Sequence, residues 1–397
     1  VPTLIYNATL VLPDSLIEHG WLLIEDGKIL DLGDETTLPD DKANVLDGMG
    51  GYVMPGFIDL HSDAIEKIVE PRPNVFFDIH TAIHEADFRL ACSGITSEYH
   101  AVSLNDSEFG VRSNGFIRDL YRALSESREE HLIRHKVHAR LELTSKDGFG
   151  IVEQMIAHGE CDMISLMDHS PGQGQYPTVE SFRNYIVSTT GRSVAEVDEM
   201  LEQKRLQLVH IPERIEHVTR QARAAGLAIA THDDDTASKV EQWPQLGVNM
   251  SEFPTTMEAA RRASELGLAV CMGAPNVVRG RSTGGNLSAL DAIRAGVADV
   301  LCADYYPTAM LHAVFALVRQ QVLTLPAAVR MVTLNAARAV LIEQEFGSLE
   351  PGKVADVILV HCTKQGLPRV QSVFVGGEQK LHVSQQSLPL HSLQTAQ

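Results

Sequence analysis

The chain has 397 residues, 44% apolar and 21% charged, with a formal net charge of −19. That balance suits a soluble globular protein with one large and one smaller domain. No apolar run reaches the roughly 18 residues of a membrane span, and so acidic a surface repels nucleic acid and anionic membranes; neither is expected as a partner.

Five widely spaced cysteines (Cys92, Cys161, Cys271, Cys302 and Cys362) form no C-x-x-C pair. That argues against a disulfide framework or a cysteine zinc site and fits buried, reduced thiols in a cytoplasmic setting. The segment from Val1 to Asn7 shows no basic stretch followed by an apolar block, so no secretory leader is expected.

Residues 1–53 read as β structure. Short apolar runs at 4–11, 20–25 and 28–32 are separated by turn residues, including the hairpin signal Asp26-Gly27. Residues 344–397 repeat that character. The two ends are expected to pair into one small β-sandwich domain, with residues 54–343 inserted between them. The polar, serine- and glutamine-rich tail after His382 is expected to add little.

The insert alternates. Buried strands are predicted over 56–60, 95–102, 137–143, 163–167, 227–231, 248–253, 268–273 and 300–303. Helical patterns lie between them, for example 82–92, 194–205, 256–266 and 311–322. Eight strands alternating with helices predict an α/β fold, a (β/α)8 TIM-type barrel. A doubly wound sheet is the rival, but no glycine-rich dinucleotide loop follows an early strand.

Active sites of such barrels sit at the C-terminal strand ends. Strand one ends in His61-Ser62-Asp63, and residues two apart on a strand share a face. Arg72 follows in the next loop. Strand three carries Arg140 and Glu142 on one face; the pair suits either metal and substrate contacts or a simple salt bridge. Strand four ends in Asp168-His169, with Gln173 just beyond. His169 is read as a ligand or a loop cap. Strand five ends in His232 and the run Asp233-Asp234-Asp235, which suits a metal site or a helix cap. Glu252 ends strand six as a ligand or a helix-entry residue. Asp304 follows strand eight. Histidines and carboxylates at six strand ends of one rim predict a metal-binding mouth.

After strand seven, Gly273 to Asn286 is read as a loop opening a helix near Leu287. Asn276, Arg279, Arg281, Ser282 and Asn286 within it suit phosphate oxygens. A solvated surface loop is the other reading.

At this point the chain resembles the amidohydrolase superfamily. The resemblance is carried by Pro55-Gly56-Phe57-Ile58-Asp59-Leu60-His61, Asp304, Asn335-Ala336-Ala337-Arg338 and Gly347-Ser348-Leu349-Glu350-Pro351-Gly352-Lys353. It departs from the common pattern where His61-Ser62-Asp63 replaces His-x-His. No lysine follows strand four, so the resemblance makes Glu142 the bridging carboxylate. Glu252 stands where a second histidine is usual.

Those departures, with Ser165 to Gln173, His232 to Thr236, Ser251 to Thr256, Gly273 to Gly280 and Asp304 to Pro307, are similar to the phosphonate-metabolism diphosphatases. That family belongs to the carbon–phosphorus lyase pathway and releases pyrophosphate from α-D-ribose 1-methylphosphonate 5-triphosphate. The resemblance implies a small anionic phosphorylated substrate. It also implies one or two divalent ions, Zn²⁺ or Mn²⁺ with Fe²⁺ compatible, on His61, Asp63, Glu142, His169 and His232, with Glu252 a further candidate. Asp304 would take the proton of the attacking water, and Arg279 and Arg281 would neutralise the leaving group. The alternative is an amidohydrolase that cleaves a cyclic amide, N-acyl or amidine C–N bond. A homo-oligomer fits either.

Overall fold

The computed structural model describes residues 1–39, 43–105, 111, 113–168, 178–190, 193–207, 211–282 and 285–384. The chain opens with β1 (Thr3–Val11), β2 (Leu16–Glu25), β3 (Lys28–Gly33), β4 (Asn44–Asp47) and β5 (Tyr52–Pro55). The Asp-Gly signal is a tight β2–β3 hairpin turn, with φ 49° at Asp26 and 78° at Gly27.

A barrel then alternates strands and helices. Its first half is β6 (Phe57–Ser62), α1 (Ala64–Val69), α2 (Ile79–Cys92), β7 (Ile95–Leu104), α3 (Phe116–Glu126), β8 (Arg134–Glu142), α4 (Gly148–His158) and β9 (Met163–Met167). Three helices follow, α5 (Val179–Thr190), α6 (Val194–Gln207) and α7 (Ile211–Ala224). The second half is β10 (Ala228–His232), α8 (Ala237–Val240), β11 (Met250–Glu252), α9 (Met257–Glu265), β12 (Ala269–Gly273), α10 (Ala274–Arg279), α11 (Ala289–Arg294) and β13 (Val300–Cys302). After α12 (Ala309–Arg319), α13 (Leu325–Arg330) and α14 (Leu334–Ala339) the chain closes with β14 (Val357–Cys362), β15 (Pro368–Val375) and β16 (Glu378–His382).

The end segments form one sheet in the order β16-β15-β14-β5-β1-β2-β3, with β4 beside β1. It folds over a core of its own, including Ile5, Leu22, Val53, Leu359 and Phe374. Because β5 pairs with β14 through Pro55, a partition at 53/54 would cut a strand. Gly56 joins the two sheets. Its amide donates to Asp356 at 2.9 Å, and a Cβ there would lie 2.3 Å from the Thr96 side chain. Only glycine allows that approach.

All eight barrel strands run parallel in the order β6 to β13. The seam between β13 and β6 holds a single bridge, Ser62 with Asp304. Asp304 N–H donates to the His61 carbonyl and Asp63 N–H to the Asp304 carbonyl, each at 2.9 Å. At the other end of the seam the Val332 and Met331 carbonyls take the amides of Ile58 and Leu301. The barrel interior is packed by Ile58, Leu60, Tyr99, Met163, Ala230, Met250, Cys271 and Cys302, and α14 plugs its base. A second core lies between strands and helices. All five cysteines are free thiols; Cys161, Cys271 and Cys302 are buried, whereas Cys92 and Cys362 are exposed. Among the described residues no helix is long and apolar enough to cross a membrane.

Candidate metal centre at the barrel mouth

Strand alternation sets the site. Along β10 the inward positions are Ala228, Ala230 and then His232; along β11, Met250 and then Glu252; along β13, Val300 and Cys302 and then Asp304. Each column is apolar at the base and polar at the mouth. On β8 the two-residue spacing puts His138, Arg140 and Glu142 on one face.

Three of the strand ends finish alike. Asp233, Phe253 and Asp304 are non-glycine residues with φ of 55°, 49° and 57°. Each still donates its amide at 2.9 Å to the next strand, at Glu252, Cys271 and His61 respectively. A bulky residue in this left-handed region is strained and persists where its surroundings hold it. The hooks lift these side chains over the barrel mouth.

Glu252 is the centre of the cluster and is fully buried. His61 Nδ1 lies 3.2 Å from its Oε1 and His232 Nδ1 lies 3.3 Å from its Oε2. The donor atoms of His61, His138 and Glu252 lie within 4.8 Å of one another. His138 donates from Nδ1 to the Leu60 carbonyl at 3.0 Å, so its Nε2 is the lone-pair nitrogen. That Nε2 and Glu252 Oε1 are buried without hydrogen-bond partners. The His61 and His232 rings stack at 5.3 Å, and Phe253 stands edge-on to both at 4.9 and 5.2 Å.

Burial first, and then the Arg140 charge, hold His61 well below the usual histidine pKa. Burial likewise pulls His138 and His232 down to about 4. All three rings are therefore neutral at pH 7. Neutral imidazoles, a buried carboxylate and orphaned donor atoms fit a divalent cation. Asp304 is pushed up to about 7, by burial and then by Asp63.

The expected residues fall into distinct places. His61, His232 and Glu252 come together, with Asp63 and Asp304 across the seam. Glu142 is buried at the end of β8 and accepts from the Thr144 hydroxyl at 2.9 Å. Arg140 Nη2 donates to His232 Nε2 at 3.3 Å, so that nitrogen meets a guanidinium. His169 and Gln173 lie outside the described residues. Arg72 is exposed in the turn after α1.

The segment after strand seven differs from the expected loop. Residues 274–279 form α10, because Pro275 presets its first turn and Gly280, with φ 71°, ends it. The next helix starts at Ala289, capped by the Ser288 hydroxyl. Asn276 Oδ1 accepts the Ala289 amide at 3.2 Å, which ties α10 to the start of the next helix. Arg279 meets the Tyr305 hydroxyl at 3.3 Å, while Arg281 and Asn286 are exposed and Ser282 is half-buried.

Two residues escape strand-end reasoning. His138 lies four positions before the end of its strand, although its spacing of two from Arg140 and four from Glu142 was a usable signal. Phe253 reads as an ordinary apolar residue. The run at 233–235 also divides: Asp234 is fully buried and accepts from Thr231, Ser251 and Trp243 at 2.6, 2.7 and 3.0 Å, and so is structural. Thr236, not an aspartate, caps α8.

Comparison with known proteins gives relatives of the same architecture. The amidohydrolase family matches residues 207–380. The α-D-ribose 1-methylphosphonate 5-triphosphate diphosphatase of Escherichia coli (strain K12) is 35% identical over 366 residues, 90% of this chain and 95% of that one. An imidazolonepropionase of Geobacillus sp. (strain WCH70) is 24% identical, covering 87% and 84%. The solved structure of a Xaa-Pro dipeptidase superposes with a TM-score of 0.66 at 15% identity, over 96% of this chain and all (100%) of that one.

Proposed function

This chain belongs to the amidohydrolase family, in the group of the E. coli diphosphatase, and from that premise we propose that it is a metal-dependent hydrolase releasing pyrophosphate from α-D-ribose 1-methylphosphonate 5-triphosphate in phosphonate catabolism. The observation that carries the reading is the 35% identity sustained over nearly the full length of both chains.

The chemistry at the mouth is consistent with it. His61, His138 and Glu252 would hold a divalent ion, with His232, Asp63 and Glu142 as further donors. Such an ion supplies Lewis acidity toward a phosphoryl oxygen and acidifies water. Zn²⁺, Mn²⁺ and Fe²⁺ all suit imidazole and carboxylate donors. Asp304, raised by burial, takes the proton as water attacks the phosphorus bonded to the ribose oxygen. The bond from that phosphorus to the bridging oxygen of pyrophosphate breaks, leaving the ribose 5-phosphate ester. Arg140 offers a guanidinium inside the cluster, and Arg279, beside Tyr305, and the exposed Arg281 would meet the leaving pyrophosphate.

Arg279→Ala and Arg281→Ala test the substrate class. Each should raise KM for the triphosphate ester about tenfold, the scale of one charge-assisted contact. If both variants kept wild-type KM and kcat on the triphosphate ester, and the protein turned over N-acyl or cyclic amide substrates faster, the C–N reading would replace this one.

A further inference from the structure

Asp59 lies two residues before His61 on β6 and is fully buried. Its Oδ1 accepts the amide of Ala303 at 2.8 Å and the amide of His61 at 3.3 Å. Ala303 immediately precedes Asp304. Every other pair of neighbouring barrel strands is joined by a backbone ladder, whereas β13 and β6 share the single Ser62–Asp304 bridge. In this gap the Asp59 side chain supplies the acceptor that a neighbouring strand would otherwise provide. A buried amide left without one is costly.

A second carboxyl group stands behind it. Glu98, on β7, is equally buried. Asp59 and Glu98 are register partners across β6 and β7, and Asp59 Oδ2 and Glu98 Oε2 are both buried without a hydrogen-bond partner among the described residues. Asp59 thus ties the backbone of His61 on one side of the seam to that of Ala303 on the other.

We propose that Asp59 is a positioning residue that sets His61 and Asp304 relative to each other across the barrel seam. The inference rests on the metal-centre reading above. An aliphatic side chain would fill the same space but leave the Ala303 amide unmatched and the seam free to shift. Ligand-orienting contacts of this kind are worth 10- to 100-fold in metal affinity or activity.

The test uses the metal-loaded full chain with Asp59→Ala, Asp59→Asn and Glu98→Gln. Metal affinity is read by chelator competition, which needs no substrate, and kcat and KM are measured separately. Asp59→Ala should weaken metal binding about 10- to 100-fold and lower kcat on a similar scale, with KM within about threefold. Asp59→Asn keeps an acceptor for both amides and should restore affinity and kcat to within about fivefold. Glu98→Gln puts a neutral amide of the same size beside Asp59, leaves both of its amide bonds in place and should match it. Wild-type affinity and kcat in Asp59→Ala would overturn the proposal, as would an Asp59→Asn variant as impaired as Asp59→Ala. Should Asp59→Ala fail to fold, hydrogen exchange on the wild type decides: the Ala303 amide should exchange among the slowest, and rapid exchange there overturns the proposal. An inactive wild type that still showed the affinity loss would count against the substrate assignment and not against the seam.

Discussion

With Nδ1 donating to the Leu60 carbonyl at 3.0 Å, His138 presents Nε2 as a buried lone pair in the trio with His61 and Glu252. A backbone carbonyl that fixes a histidine tautomer is the usual outer support of a metal ligand. His138→Ala should therefore cost more than an outer-shell change, at least ~100-fold in metal affinity. Equilibrium dialysis against Zn²⁺ or Mn²⁺ measures it, and an unchanged dissociation constant would remove His138 from the site. His61, His232, Glu252 and Asp304 were legible because each ends a predicted strand, where barrels place chemistry. His138 was hidden because strand termini alone do not mark it, while a β-strand aims every second residue inward along its length. The structural bond of Asn276 was hidden for another reason: its carboxamide oxygen finds the Ala289 amide only once the helix that begins there is in place.

The barrel strands were readable because their continuous apolar runs carry the signal of a buried parallel sheet, and all eight appear where expected. The connections were not. The helix α10 replaces the expected loop, since Ala-Pro-Asn-Val-Val-Arg between two glycines lacks the length that makes helical periodicity visible. The hooked ends of β10, β11 and β13 were equally hidden: positive φ at Asp233, Phe253 and Asp304 comes from packing, not from glycine. Asp234 holds the β10 hook by tying Thr231, Ser251 and Trp243 to one carboxylate. Asp234→Ala strands three buried donors and should destabilise the fold by about 2–4 kcal/mol. Denaturant melts of wild type and variant measure it; a loss under about 0.5 kcal/mol would mean that these donors find other partners.

At the scale of the whole molecule, acid should loosen the barrel wall well away from the mouth. Behind β7 and β8, His100 Nε2 meets His135 Nδ1 at 2.7 Å, His135 Nε2 meets Asp87 at 3.0 Å, and His131 packs edge-on to His135 at 4.6 Å. Asp87 also accepts the Leu132 and Ile133 amides, tying α2 to the segment before β8. Burial holds His100 well below the usual histidine value and His131 down to about 4. The net effect of the His135 and amide bonds, opposed by burial, is to lower Asp87. All three shifts have one sign. The unfolded chain takes up protons that the folded one refuses, so the histidine contribution is present above about pH 6.5 and is lost as pH falls toward 4, and the Asp87 contribution is lost below that. Thermal melts between pH 7.5 and 4.5 should show Tm falling, and His131→Gln should flatten the slope; an unchanged slope would mean that the cluster does not control acid lability.

At the mouth of this barrel, on the function proposed above, a phosphoanhydride is hydrolysed with help from a divalent metal. Phosphorus NMR of α-D-ribose 1-methylphosphonate 5-triphosphate with the protein, before and after chelation and with Zn²⁺ or Mn²⁺ restored, tests it most directly. Pyrophosphate and the ribose 5-phosphate ester should be the first products, lost on chelation and regained with metal. Orthophosphate as first product, or turnover indifferent to the chelator, would contradict it.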